Sequence, residues 1–383
     1  MDTQPAPRKG RARERYERRR ARQQGIAPPV AGRSVPRQLR PAGGFELPKI
    51  PLPQSRVMIY GVGAVAFAVF VVLALGMLKN DPVETDPNAI WIGTEWTYER
   101  PDGTALNQLV RRLREHEIGT VYAWVSWLQE DDTWRGTANF EAVKTFVQQF
   151  NQAYPEAELY GWIGFPVNVG DDDGYRLDDD DLQEAVAEFS RRVVNEFGFD
   201  GVFLNVEPVW NENASDFLEL LRKVRAAVGD TRPISVAVPP DWSPTDAEIP
   251  VPPLIIPGTI WEKEFKQRVA LLADQIVVMA YNGGLSQPDD YAEWVAYQVK
   301  AYAEALSDPV TGTELVIGIP TYDAQLPAHD PRIENVESAI KGIRDGLSQV
   351  GEAAEVVEGV AIYAEWETDD TEWSQFKREW LGG

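Results

Sequence analysis

Phe199-Asp200-Gly201-Val202-Phe203-Leu204-Asn205-Val206-Glu207-Pro208 is a short apolar run closed by a proline. It lies between two longer stretches, 180–197 and 214–228, whose apolar residues recur at helical spacing. A run of this length and composition reads as a strand, and a strand between two amphipathic helices is the unit from which parallel sheets are built. Alternation of period two puts Phe203, Asn205 and Glu207 on one face, and in a barrel strand carrying polar residues that face is the interior. An Asn and a Glu two apart in the mouth of a barrel call for a function. The bland alternative is a satisfied polar pair that closes the barrel top.

Working outward in both directions, strand patterns occur at 90–95, 120–127, 158–165, 201–207, 234–239, 275–281, 314–320 and 360–366. Helical patterns follow each of them, near 104–116, 140–153, 180–197, 214–228, 261–273, 289–306, 334–348 and 371–381. Several strands are nearly continuous apolar runs, Val360-Ala361-Ile362-Tyr363 for example, as expected when both faces of a sheet are covered. Eight repeats within residues 89–383 match an α/β fold of the (β/α)8 TIM-barrel type. A doubly wound open sheet is the competing architecture. It would carry a Gly-rich phosphate turn after its first strand, and Thr94-Glu95-Trp96-Thr97 is not one.

Upstream the chain changes character. Residues 1–56 hold 14 Lys and Arg against 4 Asp and Glu, a local +10 that leaves −33 on the rest of a chain whose total is −23. Residues 57–78 carry no charge, with Tyr60 near the start and Lys79 just past the end. Their 22 residues would extend about 33 Å as a helix, enough for a hydrocarbon core of roughly 30 Å. The expectation is one transmembrane helix, a retained signal anchor rather than a cleaved leader, because some 56 residues precede a full-length span. Basic flanks stay cytoplasmic, so residues 1–56 form a disordered cytoplasmic arm and Pro-rich linker, 79–88 a tether, and the barrel at 89–383 lies outside the cell membrane. The lipid bilayer is thus an expected partner through 57–78. The acidic outer domain argues against nucleic acid and favours a neutral glycan.

The chain has no cysteine and two histidines, His116 and His329. That removes thiolate chemistry, makes a His-based metal site hard to build, and turns attention to carboxylates; no metal and no cofactor are expected. Barrel enzymes carry their chemistry at the C-terminal ends of the strands. Those positions hold Glu95 and Trp96, Ser126 and Trp127, Pro166 and Asn168, Asn205 and Glu207, Asp241 and Trp242, Tyr281 and Asn282, Tyr322 and Asp323, and Glu365, Trp366 and Glu367. Carboxylates there can act as acid and base, while flat rings stack on the apolar faces of sugars. Glu207 is the candidate proton donor, with burial expected to raise its pKa. If the mechanism instead uses two carboxylates, Asp323, Glu365 or Glu367 would supply the second. The acidic runs at Asp171-Asp172-Asp173 and from Asp178 to Asp181 read as helix caps, with calcium binding as the alternative.

These motifs resemble those of the family 18 glycoside hydrolases, which include chitinases and spore-cortex enzymes. That family's fourth-strand signature is D-G-x-D-x-D-x-E, and here Asp200-Gly201, Phe203, Asn205 and Glu207 occupy its places. Met279-Ala280-Tyr281-Asn282 resembles the sixth-strand M-x-Y-D, Gly318-Ile319-Pro320-Thr321-Tyr322 the seventh-strand G-x-P-x-Y, and Gly359-Val360-Ala361-Ile362-Tyr363 the eighth-strand G-x-x-x-W. The acid is kept; Phe203 and Asn205 replace two aspartates. The N-x-E pair is similar to that of the family 85 endo-β-N-acetylglucosaminidases. The resemblance implies a hydrolase of N-acetylglucosamine-containing glycans in which Glu207 protonates the glycosidic oxygen, the substrate's acetamido group attacks the anomeric carbon, and Asn205 orients that group. Tyr281, Asn282 and Trp366 are expected as substrate contacts, together with Glu95, Trp127, Tyr322 and Asp323. The contrary expectation, drawn from the same replacements, is a barrel that has lost catalysis and binds surface or wall glycans.

Overall fold

The computed structural model describes residues 86–100, 102–169, 174–241, 252, 258–307 and 312–382. The arm, the expected span at 57–78, the tether up to residue 85, Asp171, Asp172, Asp173 and Trp242 lie outside the described residues. No helix among the described residues is long and apolar enough to cross a membrane.

Among the described residues, eight strands alternate with eight main helices. In chain order they are β1 (Asn88–Ile92), α1 (Gly103–Glu115), β2 (Ile118–Trp127), α2 (Phe140–Ala153), β3 (Glu158–Pro166), α3 (Asp180–Asn195), β4 (Gly201–Glu207) and α4 (Ala214–Val228). The second half runs β5 (Ile234–Val238), α5 (Lys263–Ala270), β6 (Gln275–Met279), α6 (Pro288–Leu306), β7 (Glu314–Pro320), α7 (Val336–Gln349), β8 (Val357–Tyr363) and α8 (Asp370–Phe376). The strands pair in sequence order and in parallel, and β1 pairs with β8 through Ala89 with Ala361 and Ile90 with Ile362. That last ladder closes the barrel and rules out the open sheet, which would leave both edge strands unpaired.

Two apolar layers account for the closure. Outward residues such as Ile90, Val121, Leu159, Val202, Val236, Ile276, Ile317 and Val360 join the helices' inner faces in one continuous core. Inward residues form a second cluster of Ala89, Trp91, Tyr122, Tyr160, Trp162, Phe203, Ala237, Val277, Val316 and Ala361. The barrel is thus filled by aromatic side chains rather than left as a pore. Tyr122 stacks on Phe203 with ring centroids 4.3 Å apart, and Trp91 meets Phe203 edge-on at 5.6 Å.

The helices start where the sequence supplies caps. Asp179 accepts hydrogen bonds from the backbone N–H groups of Asp181 and Leu182 at the start of α3, the capping role expected of that acidic run. Asp369 and Glu372 form a reciprocal capping box at the start of α8.

At the C-terminal ends of the strands, the three largest departures from expectation are in β1, β6 and β8. β1 stops at Ile92, and Glu95 sits in a single helical turn, Thr94–Thr97, where its carboxylate accepts the Gly93 N–H at 3.1 Å. That bond satisfies the N-cap N–H of the turn locally, outside the strand ladder. β6 ends at Met279, two residues early. β8 lies three residues upstream of the expected 360–366, because Val357 finds a partner in Leu315 at the barrel base. As a result Tyr363, not Trp366, is the last strand residue there.

Candidate active site

Of the inward-facing positions of β4, Phe203 is fully buried in the aromatic filling, and Asn205 and Glu207 rise above it into a cavity of about 450 Å³. Its wall is made by Trp91, Trp162, Met279, Tyr281, Asn282 and Tyr363, with Pro208, Pro239, Pro240, Thr259 and Ala328 at its rim. The volume is that of a small-molecule site. Among the described lining residues, Glu207 is the only carboxylate, and there is no Lys, Arg or His.

Glu207 faces the cavity and so keeps some accessible surface, yet protein surrounds its carboxyl on nearly every side. Burial therefore raises its pKa above the ordinary carboxyl range, and a hydrogen bond from the Asn205 side chain offsets part of that rise. Its charge is felt by Tyr281 and Tyr363, whose hydroxyls are pushed up chiefly by their own burial. Tyr281 and Tyr363 stack with centroids 5.4 Å apart and planes 16° from parallel. Both β4 and β8 leave the barrel through cis peptides, Glu207–Pro208 and Tyr363–Ala364.

Two buried polar atoms of the lining residues have no hydrogen-bond partner: the Oδ1 of Asn205, an acceptor, and the indole Nε1 of Trp162, a donor. Leaving such groups unpaired costs about 1–3 kcal/mol each, so native structures seldom tolerate them without a partner arriving from outside. Trp162 belongs to β3, whose ladder sets it beside Phe203 and sets Gly164 beside Asn205.

The sequence-predicted residues divide into two groups. Asn205, Glu207, Tyr281 and Asn282 line the cavity. Tyr322 stands just behind it, donating its hydroxyl to the Asn282 Oδ1 and packing edge-on against Tyr281 and Tyr363. Trp127 is two rings further out. A bulge in β2 between Trp124 and Ser126 turns both tryptophans to the inner face. Trp127 lies parallel to Trp124 at 6.4 Å, Trp124 meets Trp162 edge-on at 4.8 Å, and Trp127 fills the space a side chain at Gly164 would need.

Glu95, Asp323 and Trp366 are not brought to the cavity. Glu95 is exposed and folded back on Gly93. Asp323 is exposed, and its charge acts on Glu372, whose carboxyl is pushed up to about 7, first by its own burial. Trp366 is 40% exposed on the loop after β8, edge-on to Tyr363 at 5.8 Å. The alternative of a second carboxylate fares no better. Glu365 accepts the Trp96 indole N–H at 2.8 Å, Glu367 is exposed, and neither lines the cavity.

Trp91, Phe203, Met279 and Tyr363 line the cavity without having been singled out as contacts, whereas Trp162 is one of the rings that the sequence offers for stacking on sugar. For Tyr363 the signal was in the sequence. Gly359, Ala361 and Tyr363 share one face at period two, and only the misplaced strand end moved attention to Trp366. His329 and Glu334, both fully buried beneath the rim, carried no local signal at all.

No protein-family profile matches the chain, and no curated protein does. Among solved structures, the spore cortex-lytic enzyme SleL of Bacillus cereus aligns with 76% of this chain and 73% of its own at 12% identity, with a TM-score of 0.50. A class V chitinase from Pseudomonas fluorescens aligns with 76% of this chain and 98% of its own at 14% identity and a TM-score of 0.49. A group IV chitinase of Ostrinia furnacalis covers 77% and 99% at 14% identity, with a TM-score of 0.48. At such identity the likeness concerns the fold: this chain carries the (β/α)8 barrel that SleL also has, with its cavity at the C-terminal ends of the strands.

Proposed function

We propose that this chain is a membrane-anchored, extracytoplasmic glycoside hydrolase that cleaves N-acetylglucosamine-containing glycans with Glu207 as general acid. The observation that carries the reading is a lone buried carboxyl with a raised pKa, set beside one unpaired acceptor, Asn205 Oδ1, and one unpaired donor, Trp162 Nε1. A secondary amide has one N–H and one C=O, the chemical complements of these two groups. In the proposed reaction Glu207 gives its proton to the glycosidic oxygen as the C1–O bond breaks. The acetamido oxygen closes on C1 while Asn205 Oδ1 accepts the acetamido N–H. The Glu207 carboxylate then takes a proton from the water that opens the resulting ring. A mechanism in which the substrate supplies the nucleophile needs no second carboxylate, in keeping with the lining residues.

The reading is tested by incubating the full chain with N-acetylated chitin oligosaccharides, with peptidoglycan fragments, and with the same oligosaccharides after de-N-acetylation, following products by mass spectrometry. Cleavage is expected only where the acetamido group is present. Equal cleavage of the de-N-acetylated set would point to a protein nucleophile. Binding without cleavage would support the second reading, a glycan-binding barrel. That reading is favoured by Phe203, whose ring closes the floor where the resembling family places an aspartate.

The pH dependence follows from the direction of the Glu207 shift. A general acid works only while protonated, so kcat/KM is expected to hold through the ordinary carboxyl range near 4.3 and to fall at higher pH as Glu207 ionises. An alkaline limb centred in the ordinary carboxyl range would contradict the assignment.

Anchoring rests on the uncharged stretch at 57–78 and the basic residues that precede it. In cells, the barrel should be digested by protease added from outside, and the chain should stay in the membrane pellet after carbonate washing. A chain released by carbonate would sink the anchor.

A further inference from the structure

Beneath the rim formed by Asn282 and Ala328 lies a pair of side chains with no accessible surface, His329 and Glu334, with His329 Nδ1 3.0 Å from the Glu334 carboxylate. The same carboxylate accepts the backbone N–H groups of Asn282 at 2.8 Å, Gly283 at 2.8 Å and Gly284 at 3.2 Å. The other ring nitrogen of His329, Nε2, lies 2.9 Å from the Tyr322 carbonyl oxygen. A carbonyl can only accept, so Nε2 carries a proton. A second proton then lies between Nδ1 and Glu334, since two bare acceptors would repel.

The arrangement joins three pieces of chain. Glu334 sits two residues before α7, whose first turn is capped by Asn335 accepting the Ser338 N–H. From that fixed point it holds the β6–α6 loop by three N–H groups in succession, and through His329 it holds the β7–α7 loop at Tyr322. Asn282 adopts φ +62°, a conformation uncommon for residues other than glycine, and its side chain receives the Tyr322 hydroxyl. The Tyr322 and His329 rings are in contact, with centroids 4.0 Å apart. Burying polar side chains is costly unless they are hydrogen-bonded, and loops ordinarily leave their backbone groups to water. Here the pair gathers the backbone of two loops at one wall of the cavity.

Building on the hydrolase reading, we propose that the His329–Glu334 pair is a positioning device, which fixes Asn282 on the cavity wall and Tyr322 just behind it and so sets affinity for the glycan rather than the rate of the chemical step. Neither residue touches the cavity space itself; they act through Asn282 and Tyr322.

The test uses the full chain and N-acetylated oligosaccharides. Glu334→Gln keeps the shape but turns one of the two acceptor oxygens into an N–H donor that faces a backbone N–H. Its KM should rise roughly tenfold while kcat stays within about threefold. Tyr322→Phe, which leaves the core packing intact, should shift KM in the same direction by a smaller factor. A lowered melting temperature with unchanged KM in both variants would make the pair a structural strut and overturn the proposal. Because Glu334→Gln is a core change, a second measurement stands apart from it. The chain has two histidines, so with His116→Gln as the assignment control, the 15N-labelled protein should display an exchange-protected His329 ring N–H at Nε2. A His329 ring without a protected N–H at Nε2 would refute the network. If the parent chain neither binds nor cleaves the oligosaccharides, the hydrolase reading and the claim on affinity fall together. The ring proton would then still report whether the pair ties the two loops.

Discussion

Glu207→Gln is expected to lower kcat by about 10²- to 10⁴-fold, the range that a positioned general acid supplies, while oligosaccharide binding persists. Glutamine has the same shape and can still receive the Asn205 amide, but it has no proton to give at the glycosidic oxygen. The same variant should also be more stable than the parent at neutral and alkaline pH. Burial raises the Glu207 pKa in the folded state above its unfolded value. The folded form therefore binds more protons than the unfolded form between the two values, and parent stability falls as pH rises through that window and remains lowered above it. A glutamine side chain does not titrate, so the penalty disappears. Calorimetric melting at pH 8 and at pH 4 should thus place the variant above the parent at the higher pH, with the gap closing at the lower. Loss of activity together with loss of stability at pH 8 would indicate a structural role for Glu207 instead. A kcat unchanged by the substitution would remove it from the chemistry.

The largest stability effect is expected at the other end of the barrel. Arg225, on the inner face of α4, donates to the carbonyl oxygens of Gly229, Arg232 and Leu272 and to the Asp274 carboxylate. Asp274 in turn accepts the Ile234 N–H at 2.9 Å and donates its own N–H to the Ile234 oxygen at 2.8 Å, so the pair pins the entry of β5 against that of β6. Both side chains are nearly inaccessible. Arg225→Met fills much of the volume but leaves a buried carboxylate facing it without a cation. Breaking a buried pair by removing one partner costs about 3–5 kcal/mol. Urea unfolding should show that loss as a lower midpoint with an unchanged slope. The double variant Arg225→Met with Asp274→Leu should recover part of it, because no charge is then stranded. A loss of unfolding free energy of less than about 1 kcal/mol would mean that water reaches the site and screens it. Whatever fraction of Arg225→Met remains folded should keep its KM, since the cavity lies at the opposite mouth.

Much of the barrel was legible because its signals are local. Helices α2 and α4 begin and end where their apolar spacing does, and strands β4 and β7 occupy the expected residues throughout. Strand ends were harder. Glu95 follows an apolar run and looked like its last member, yet its carboxylate bonds the Gly93 N–H and the chain turns instead. Trp366 looked like the aromatic terminus of β8, but the pairing of Val357 with Leu315 shifts the strand and gives that place to Tyr363. Trp124 and Trp127 are three apart and by simple alternation face opposite ways; the bulge between them undoes the alternation.

What the sequence by itself determined is the succession of strands and helices, the inward face of β4, and hence Asn205 and Glu207 at the barrel mouth. These rest on periods of 2 and about 3.6 residues, which are properties of neighbouring positions along one chain segment. Only the tertiary structure decided which rings surround Glu207, that no second carboxylate among the described residues joins it, and that Trp162 and Asn205 each keep a buried polar atom without a partner. It alone also brought Glu334 under the backbone of Asn282, 52 positions away in sequence. Contacts of that kind depend on the closure of β1 against β8 and on how loops fold over the barrel mouth. No spacing within a single segment encodes them.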